Sequence, residues 1–396
     1  MERISGTVSR GLRAPIIKTG DDLKSIVVDT VLRAQEAGDI TIRDRDVLAI
    51  TESIVARSQG NYCSIDDIAE DIRTKFGGED LGVIFPITSR NRFAICLRGI
   101  ARGAKKIILQ LSYPSDEVGN HLFIDEKLDD SDINPYTDVL SREQFEAAFG
   151  KASHPFTGMD YVTYYQELIE AEGCEAEIIF ANQADAILSY TKKVLNCDIH
   201  TRTRTKKRLL KCGAEIVHSL DEIMNAPVNG SGYNEKYGLL GSNKATEDTV
   251  KLFPNDCTDF VNDIQKEIYD RTGKCIEVMV YGDGAFKDPV GKIWELADPV
   301  VSPGYTKGLD GTPNELKLKY LADNQFKDLK GDALKEAIKG AITEKDAQLV
   351  GKMVSEGTTP RRLTDLIGSL CDLTSGSGDK GTPFVYVQGY FDNLTD

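Results

Sequence analysis

An aspartate between two glycines is the residue of this sequence most suited to metal chemistry. Asp283 stands between Gly282 and Gly284, directly after the apolar run Ile276–Tyr281, which predicts a buried strand. The glycines would let another group approach the carboxylate closely. Such a carboxylate is a natural ligand for a hard cation such as Mg²⁺ or Mn²⁺. An ordinary turn, in which the aspartate bonds its own backbone, fits the same pattern, and both interpretations stay open.

A glycine-rich loop near the C-terminus could bind an anion. Residues 374–381 read TSGSGDKG, and the strand-like run 382–387 follows. Glycines let backbone N–H groups converge on an anion, and Lys380 could add positive charge. The loop does not match the G-x-x-x-x-G-K-[ST] pattern, so the usual strand–loop–helix nucleotide site is not predicted. A flexible connector is the alternative interpretation.

The elements that would position these residues alternate between helix and strand. An extended segment around Pro15 leads to a helix with Asp21 as its candidate N-cap, and residues 46–54 are a strand candidate. Ligand-binding groups are common at the edges of such elements, although surface charges and turn residues are the commoner explanation. The polar residues at these edges are Lys18, Glu52, Ser53 and Arg57.

The middle of the chain has a different pattern. Residues 81–87 and 106–111 are strand candidates, and residues 113–149 predict a long irregular connection. Strand and helix patterns then alternate over about residues 155–225, which predicts a small inserted α/β layer. Within it, residues 200–211, HTRTRTKKRLLK, are the only dense basic run. This run could bind an anionic ligand or RNA, or it could be a solvated helix start.

Length and composition exclude several classes of protein. The 396 residues allow two or three domains, and 40% hydrophobic with 28% charged residues is typical of globular proteins. A net charge of −15 argues against a nonspecific nucleic-acid-binding protein. The sequence has no apolar run near 18 residues, no signal peptide pattern and no C-x-x-C pair among its eight cysteines. We therefore expect a cytoplasmic protein with reduced thiols and no membrane or nucleic-acid partner.

Taken together, these stretches resemble the coenzyme F420-0:L-glutamate ligase (F420 γ-glutamyl ligase) family. The most specific match is RAPIIKTGDDL at residues 13–23, followed by DVLAITESIVARSQG at residues 46–60. The resemblance covers about residues 8–60 and 236–393, which leaves residues 113–230 as an insertion. Further matches are Ser242-Asn243, Asp283, Gly291-Lys292 and LTSGSGDKGTPFVYVQG at residues 373–389.

The resemblance implies an α+β, two-domain F420 γ-glutamyl ligase-like fold with an inserted small α/β layer. Residues 1–112 would be the N-terminal part of the ligase-like domain, 113–230 the insert, and 231–396 the C-terminal part with the metal and nucleotide motifs. The implied enzyme joins L-glutamate or a similar amino acid to a carboxylate acceptor through an acyl phosphate. It uses GTP or ATP with Mg²⁺ or Mn²⁺, and it forms a homodimer with its site at the interface. A noncatalytic nucleotide- or ligand-binding member without the metal site is the alternative.

The resemblance also implies roles for individual residues. Asp283 would be a metal ligand and a catalytic residue, and Lys380 would be catalytic. Three positions depart from the family pattern: Leu240 replaces an Asp, Ser377 a Gln and Gly284 a Thr. Asp288, Glu295 and Asp298 are possible replacement ligands. The implied nucleotide contacts are Ala14, Pro15, Ile16, Ile17, Glu52, Ser53, Arg57, Asn243, Ser375, Gly376, Ser377, Gly378, Asp379, Lys380, Gly381 and Thr382.

Overall fold

The computed structural model describes residues 4–153, 158–282, 302–355, 361–376 and 378–395. These ranges form a mixture of helices and sheets, which confirms the α+β class. The strands are β1 (Val8–Leu12), β2 (Val47–Thr51), β3 (Tyr62–Ser64), β4 (Asp80–Ile84), β5 (Lys106–Leu111), β6 (Leu140–Ser141), β7 (Glu175–Phe180), β8 (Lys193–Asn196), β9 (Ile216–Ser219), β10 (Asn243–Lys244), β11 (Thr249–Lys251), β12 (Glu277–Tyr281), β13 (Gly304–Tyr305) and β14 (Phe384–Gln388). The helices are α1 (Leu23–Glu36), α2 (Glu52–Gln59), α3 (Ile65–Phe76), α4 (Phe93–Arg102), α5 (Glu126–Asp129), α6 (Arg142–Phe149), α7 (Tyr161–Ala171), α8 (Arg202–Lys211), α9 (Cys257–Thr272), α10 (Leu318–Asp323), α11 (Gly331–Thr343) and α12 (Leu363–Thr374). Short 3₁₀ turns lie at Ala184–Ser189, Leu220–Glu222, Lys307–Leu309 and Met353–Ser355.

A five-stranded sheet has the order β1-β14-β2-β12-β13. β2 runs parallel to β12 and antiparallel to β14, and β14 runs antiparallel to β1. The first four residues of β2 are all buried, because helices cover both faces of the sheet. α1 and α9 pack on the face that carries Leu48 and Ile50, and α12 packs on the face that carries Val47 and Ala49. The sheet thus joins N-terminal, central and C-terminal segments of the chain.

The first helix begins one residue later than the sequence predicts. α1 starts at Leu23, and its N-cap is Asp22, whose Oδ1 accepts a hydrogen bond from the Ser25 N–H at 3.1 Å. The Asp21 carboxylate instead accepts from the Lys18 N–H at 2.6 Å and closes the preceding turn. Both aspartates are good caps, so the sequence alone cannot choose between them.

A six-stranded sheet has the order β6-β7-β5-β4-β8-β9. β6 is antiparallel to β7, and the other pairs are parallel. Along the chain, β5 and β7 are added on one side of β4, and β8 and β9 are then added on its other side. α3, α4 and α7 bury their apolar side chains on one face. The 3₁₀ turn Ala184–Ser189 and α8 cover the other face.

This α/β unit is larger than the sequence analysis predicts. The expected layer covers about residues 155–225, but its sheet also contains β4 and β5, which precede residue 112. The predicted boundary at residue 112 therefore falls between two paired strands of one sheet. Residues 113–149, predicted to be irregular, also contain α6, which starts with a capping box of Ser141 and Gln144.

A small antiparallel sheet has the order β10-β11-β3. β3 follows α2 after two residues, and β10 carries Asn243, so this sheet connects two of the segments predicted to contact the nucleotide. In the described part of the chain, no helix combines the length and apolarity needed to cross a membrane.

Candidate functional site

Four segments that the resemblance assigns to the site leave the five-stranded sheet at one edge. Leu12 at the end of β1 pairs with Phe384 at the start of β14, which pairs with Ile50 near the end of β2. Thr51 at the end of β2 pairs with Tyr281 at the end of β12. The segments after β1, β2 and β12 and the loop before β14 therefore emerge together. None of these pairings is visible in the local sequence pattern.

Two backbone hydrogen bonds hold these segments together. The Ala14 N–H donates to the Gly381 carbonyl at 3.1 Å, and the Thr51 N–H donates to the Pro383 carbonyl at 3.1 Å. In the first segment the side chain of Ile17 is buried in the core, whereas Ile16 is 83% exposed. The segment Ala14–Ile17 can therefore offer backbone groups and the Ile16 side chain to a ligand, but not the Ile17 side chain.

A buried ion pair supports the start of α2. Both carboxylate oxygens of Glu52 accept from the Lys251 ammonium, at 3.0 and 3.1 Å. The side chains of Glu52 and Lys251 are only 11% and 10% exposed. The pair ties α2 to β11 and holds Ser53 and Arg57 against the small sheet. The sequence analysis did not identify Lys251, although a lysine inside the apolar run 250–253 signals a buried cation that needs an acidic partner.

A basic cavity of about 620 Å³ lies beside α2. Among the described residues, the Arg57 and Lys18 side chains have no ion-pair partner. Lys244 pairs only with the highly exposed Glu247, at 2.8 Å. This α2 cavity therefore presents positive charge in a protein of strongly negative net charge, which favours an anionic ligand. The residues that give it this character are Lys18, Ser53, Arg57, Asn243, Lys244 and Lys251.

The C-terminal loop borders a second cavity, of about 1060 Å³. Glu36 and Asp39 also line it, but basic side chains predominate. In the described part of the chain, the side chains of Arg13, Arg33 and Lys380 form no ion pair. The defining residues of this loop cavity are Arg10, Arg13, Arg33, Ser375, Lys380 and Thr382.

The neck of the C-terminal loop is closed by its own side chains. The buried Ser375 hydroxyl contacts the Thr382 hydroxyl and donates to the Thr382 carbonyl at 2.6 Å. A Cβ built on Gly376 or Gly378 would find no protein atom within 4 Å, so the space beside both glycines is open to a ligand. The loop is therefore anchored at its base and accessible at its tip, where Asp379 and Lys380 are exposed.

The metal assignment falls outside what the structure describes. Asp283, Gly284 and Ser377 lie outside the described residues, as do Asp288, Glu295 and Asp298. The described ranges contain no group of three or more His, Cys, Asp or Glu residues that could hold a metal ion. Leu240 is 2% exposed and packs in the hydrophobic core of the α/β unit. A metal ligand at that position is therefore excluded by both chemistry and burial.

The cysteine nearest to the ion pair is not a nucleophile. Burial raises the pKa of the Cys257 thiol to about 12, and the negative charge of Glu52 adds to this shift. Thiols act as nucleophiles in the thiolate form. Covalent catalysis by Cys257 at neutral pH is therefore excluded.

Comparison with known proteins identifies the family to which the chain belongs. The family model described as F420-0:Gamma-glutamyl ligase matches residues 11–389, nearly the whole chain. The chain belongs to this family, and the resemblance found in the sequence is confirmed. The match runs through the α/β unit as well, where the sequence analysis found no family motif. A search of the curated proteins finds no match. Family membership supports the class of γ-glutamyl ligases.

Proposed function

We propose that the protein is a nucleotide-dependent amide ligase that joins L-glutamate or a similar amino acid to a carboxylate acceptor. GTP or ATP supplies the phosphoryl group. The observation that carries this proposal is the convergence of four family-matching segments at one sheet edge, together with two cavities that are lined by residues of these segments and are rich in basic side chains. A triphosphate needs such charge compensation, and glycines such as Gly376 and Gly378 allow close approach of the backbone.

The proposed reaction has two steps. First, an oxygen of the acceptor carboxylate attacks the terminal phosphorus, a P–O bond to the nucleoside diphosphate breaks, and an acyl phosphate forms. Second, the amine of the amino acid attacks the acyl carbon, phosphate leaves, and the amine loses a proton. Negative charge shifts between oxygen atoms in both steps. Fixed cations near the phosphates therefore stabilise both transition states.

The residues of this chain have separate roles in the proposal. Lys380 contacts the transferring phosphoryl group, and Arg57 with Lys18 holds anionic groups of the nucleotide or acceptor. The Glu52–Lys251 pair positions α2 without touching the reacting atoms. Asp283 would hold a Mg²⁺ or Mn²⁺ ion, which would neutralise charge on the phosphates.

A homodimer is part of the proposal. Ile16 is 83% exposed at the sheet edge, next to the segments assigned to the nucleotide. A partner subunit that covers this side chain would also exclude water from the site. Analytical ultracentrifugation of the wild type and of Ile16→Asp tests this point, with a dimer expected only for the wild type.

Nucleotide binding tests the assignment of the two cavities. Calorimetric titration with GTP and with ATP should show at least tenfold weaker binding for Arg57→Ala and for Lys380→Ala than for the wild type. Lys266→Ala is the control, because Lys266 is a highly exposed cation on α9 that pairs with Asp270. Equal affinity in all four proteins would contradict the assignment. Asp283→Asn should abolish metal-dependent turnover while the melting temperature stays unchanged.

A noncatalytic member of the family is the second candidate. The burial of Leu240 favours it, because one family ligand position is occupied by a core side chain. The two candidates differ in turnover. Nucleotide binding without phosphate release, over a panel of carboxylate acceptors with L-glutamate and Mn²⁺, would favour the noncatalytic candidate.

A further inference from the structure

A third cavity lies in the α/β unit, away from the segments that match the ligase motifs. It has a volume of about 610 Å³ and is lined by residues that follow β4, β5, β7 and β8. The strand order reverses between β4 and β8, since β5 and β7 lie on one side of β4 and β8 lies on the other. In open α/β sheets, ligands bind outside the carboxyl ends of the strands at such a reversal. We call this space the switch cavity.

The loops that frame the switch cavity are fixed by buried hydrogen bonds. The Asp116 carboxylate accepts from the N–H and hydroxyl groups of Thr88, both at 2.9 Å, which ties the loop after β5 to the loop after β4. It also accepts from the Asn120 N–H at 2.8 Å. The Asn182 side chain joins the loop after β7 to Tyr113 through two further hydrogen bonds. These residues build the frame of the cavity, so they are not free to bind a ligand.

One basic side chain on the cavity wall forms no ion pair with any residue that the structure describes. α8 carries six basic residues and no acidic residue over its ten positions. Arg202, Lys206 and Arg208 form ion pairs with acidic side chains of the same unit. In the described part of the chain Arg204 forms none, and it lines the switch cavity. Lys207 is also exposed and without an ion pair there, but it does not line the cavity.

Two carboxylates, Glu117 and Asp198, also line the cavity, and their pKa values are shifted in opposite directions. Glu117 accepts from the N–H groups of Ile199 and His200, at 2.6 and 2.5 Å. Burial raises the pKa of Glu117 to about 7, and the charge of Asp198 adds to this shift. Burial also opposes ionisation of Asp198, but hydrogen bonds from Thr201 and Thr205 outweigh it and lower its pKa. The Glu117 side chain also shares a hydrogen bond with Asp198. Each carboxyl oxygen of Glu117 has a second lone pair beyond the one used by the loop N–H group, so Glu117 can still accept from a ligand hydroxyl group.

An aromatic side chain completes the lining. Phe85 follows β4 directly and lines the cavity. Its φ is +51°, a conformation that is unfavourable for a bulky residue and is held only by its surroundings. The Phe85 N–H donates to the Gln110 carbonyl at 2.9 Å, which fixes the residue at the end of β5. Phe85 packs against the apolar cluster on this face of the sheet and leaves part of its side chain on the cavity wall.

We propose that the switch cavity is a second ligand site, which binds an organic phosphate of the size of a mononucleotide. Arg204, in the first turn of α8, binds the phosphate. Glu117 binds sugar hydroxyls, and Phe85 contacts the base or another flat group. The cavity volume suits a ligand of this size. The site goes beyond the proposed ligase function, since none of its residues lines the two cavities at the sheet edge.

Calorimetric titration of the full chain with AMP, ribose 5-phosphate and inorganic phosphate tests this site. Arg204→Ala should weaken binding of AMP at least tenfold, because it removes the phosphate contact from an exposed position that the fold does not need. Lys207→Ala is the matched control and should bind AMP as the wild type does. Glu117→Gln should weaken AMP and ribose 5-phosphate but leave inorganic phosphate unchanged. Tighter binding of AMP than of ribose 5-phosphate would support the contact with Phe85.

Three outcomes would overturn the proposal. The first is that the wild type binds none of the three ligands. The second is that Arg204→Ala binds AMP with the same affinity as the wild type. The third is an equal loss in Arg204→Ala and Lys207→Ala, which would indicate nonspecific attraction to the basic helix. Lys380→Ala separates this site from the ligase site. It should keep the Arg204-dependent binding of AMP even if the proposed nucleotide site at the sheet edge fails its own test.

Discussion

Removal of Lys251 should destabilise the protein far more than removal of an equally charged neighbour. In Lys251→Met the Glu52 carboxylate, whose side chain is 11% exposed, loses the ammonium group that lies 3.0 Å away. Removal of one partner of a buried ion pair costs about 3 to 5 kcal/mol, because the remaining buried carboxylate loses its ammonium partner. At about 2 °C per kcal/mol for a large domain, the melting temperature should fall by at least about 6 °C.

The matched control is Lys244→Met. Lys244 lines the same cavity and also pairs with a glutamate, but its side chain is 34% exposed and that of Glu247 is 84% exposed. An exposed pair of this kind contributes less than about 1 kcal/mol. Both variants remove one positive charge from the α2 cavity, so a difference between them reports burial and not net charge.

Urea denaturation followed by circular dichroism measures both variants under the same conditions. The double variant Glu52→Gln/Lys251→Met should recover part of the stability lost in Lys251→Met, because it no longer leaves a buried charge without its partner. A loss below about 1 kcal/mol in Lys251→Met, equal to that in Lys244→Met, would refute the structural role given to this pair.

Three further predictions follow from individual residues. Gly11→Ala should displace the C-terminal loop and weaken GTP binding in calorimetry, because the added Cβ would lie 2.8 Å from the Ser375 hydroxyl. Gly6→Ala is the control and should bind GTP with the affinity of the wild type, because its Cβ would meet no atom within 4 Å. Thiol labelling of the native protein should modify only Cys212 and Cys275 rapidly, because the other six cysteines are buried. Rapid labelling of more than two cysteines would contradict the burial of these six side chains. The free energy of unfolding should fall between about pH 4.5 and pH 7, since the pKa of Glu117 is raised from 4.5 to about 7 and the folded state holds its proton longer. Glu117→Gln should lose this part of the pH dependence, and an unchanged profile would contradict it.

Local sequence signals predict individual elements well in this chain. Helix α9 illustrates this, because its amphipathic pattern over residues 257–272 is closed by Gly273 in a left-handed conformation. The strand predicted over residues 46–54 is confirmed only as far as Thr51, because Glu52 and Ser53 already belong to α2. Such signals depend on neighbouring residues only.

Contacts between distant segments were not predictable in the same way. The pairing of β4 and β5 with β7 and β8 joins residues on both sides of the expected boundary at 112, and strand pairing has no local signature. The ion pair of Glu52 with Lys251 spans 199 positions in the sequence. The convergence of the segments at the sheet edge followed from the family resemblance, and the strand register explains it physically.

The central proposal is that the protein activates a carboxylate as an acyl phosphate at the sheet edge. Transfer of ¹⁸O tests it most directly. The protein is incubated with GTP, Mn²⁺, L-glutamate and a carboxylate acceptor labelled with ¹⁸O in its carboxyl group, with F420-0 as the first acceptor of the panel. The proposal predicts an amide product and one ¹⁸O atom in each released phosphate, with neither formed when GTP or L-glutamate is omitted. Amide formation with unlabelled phosphate, or GTP binding without any amide over the whole panel, would contradict it.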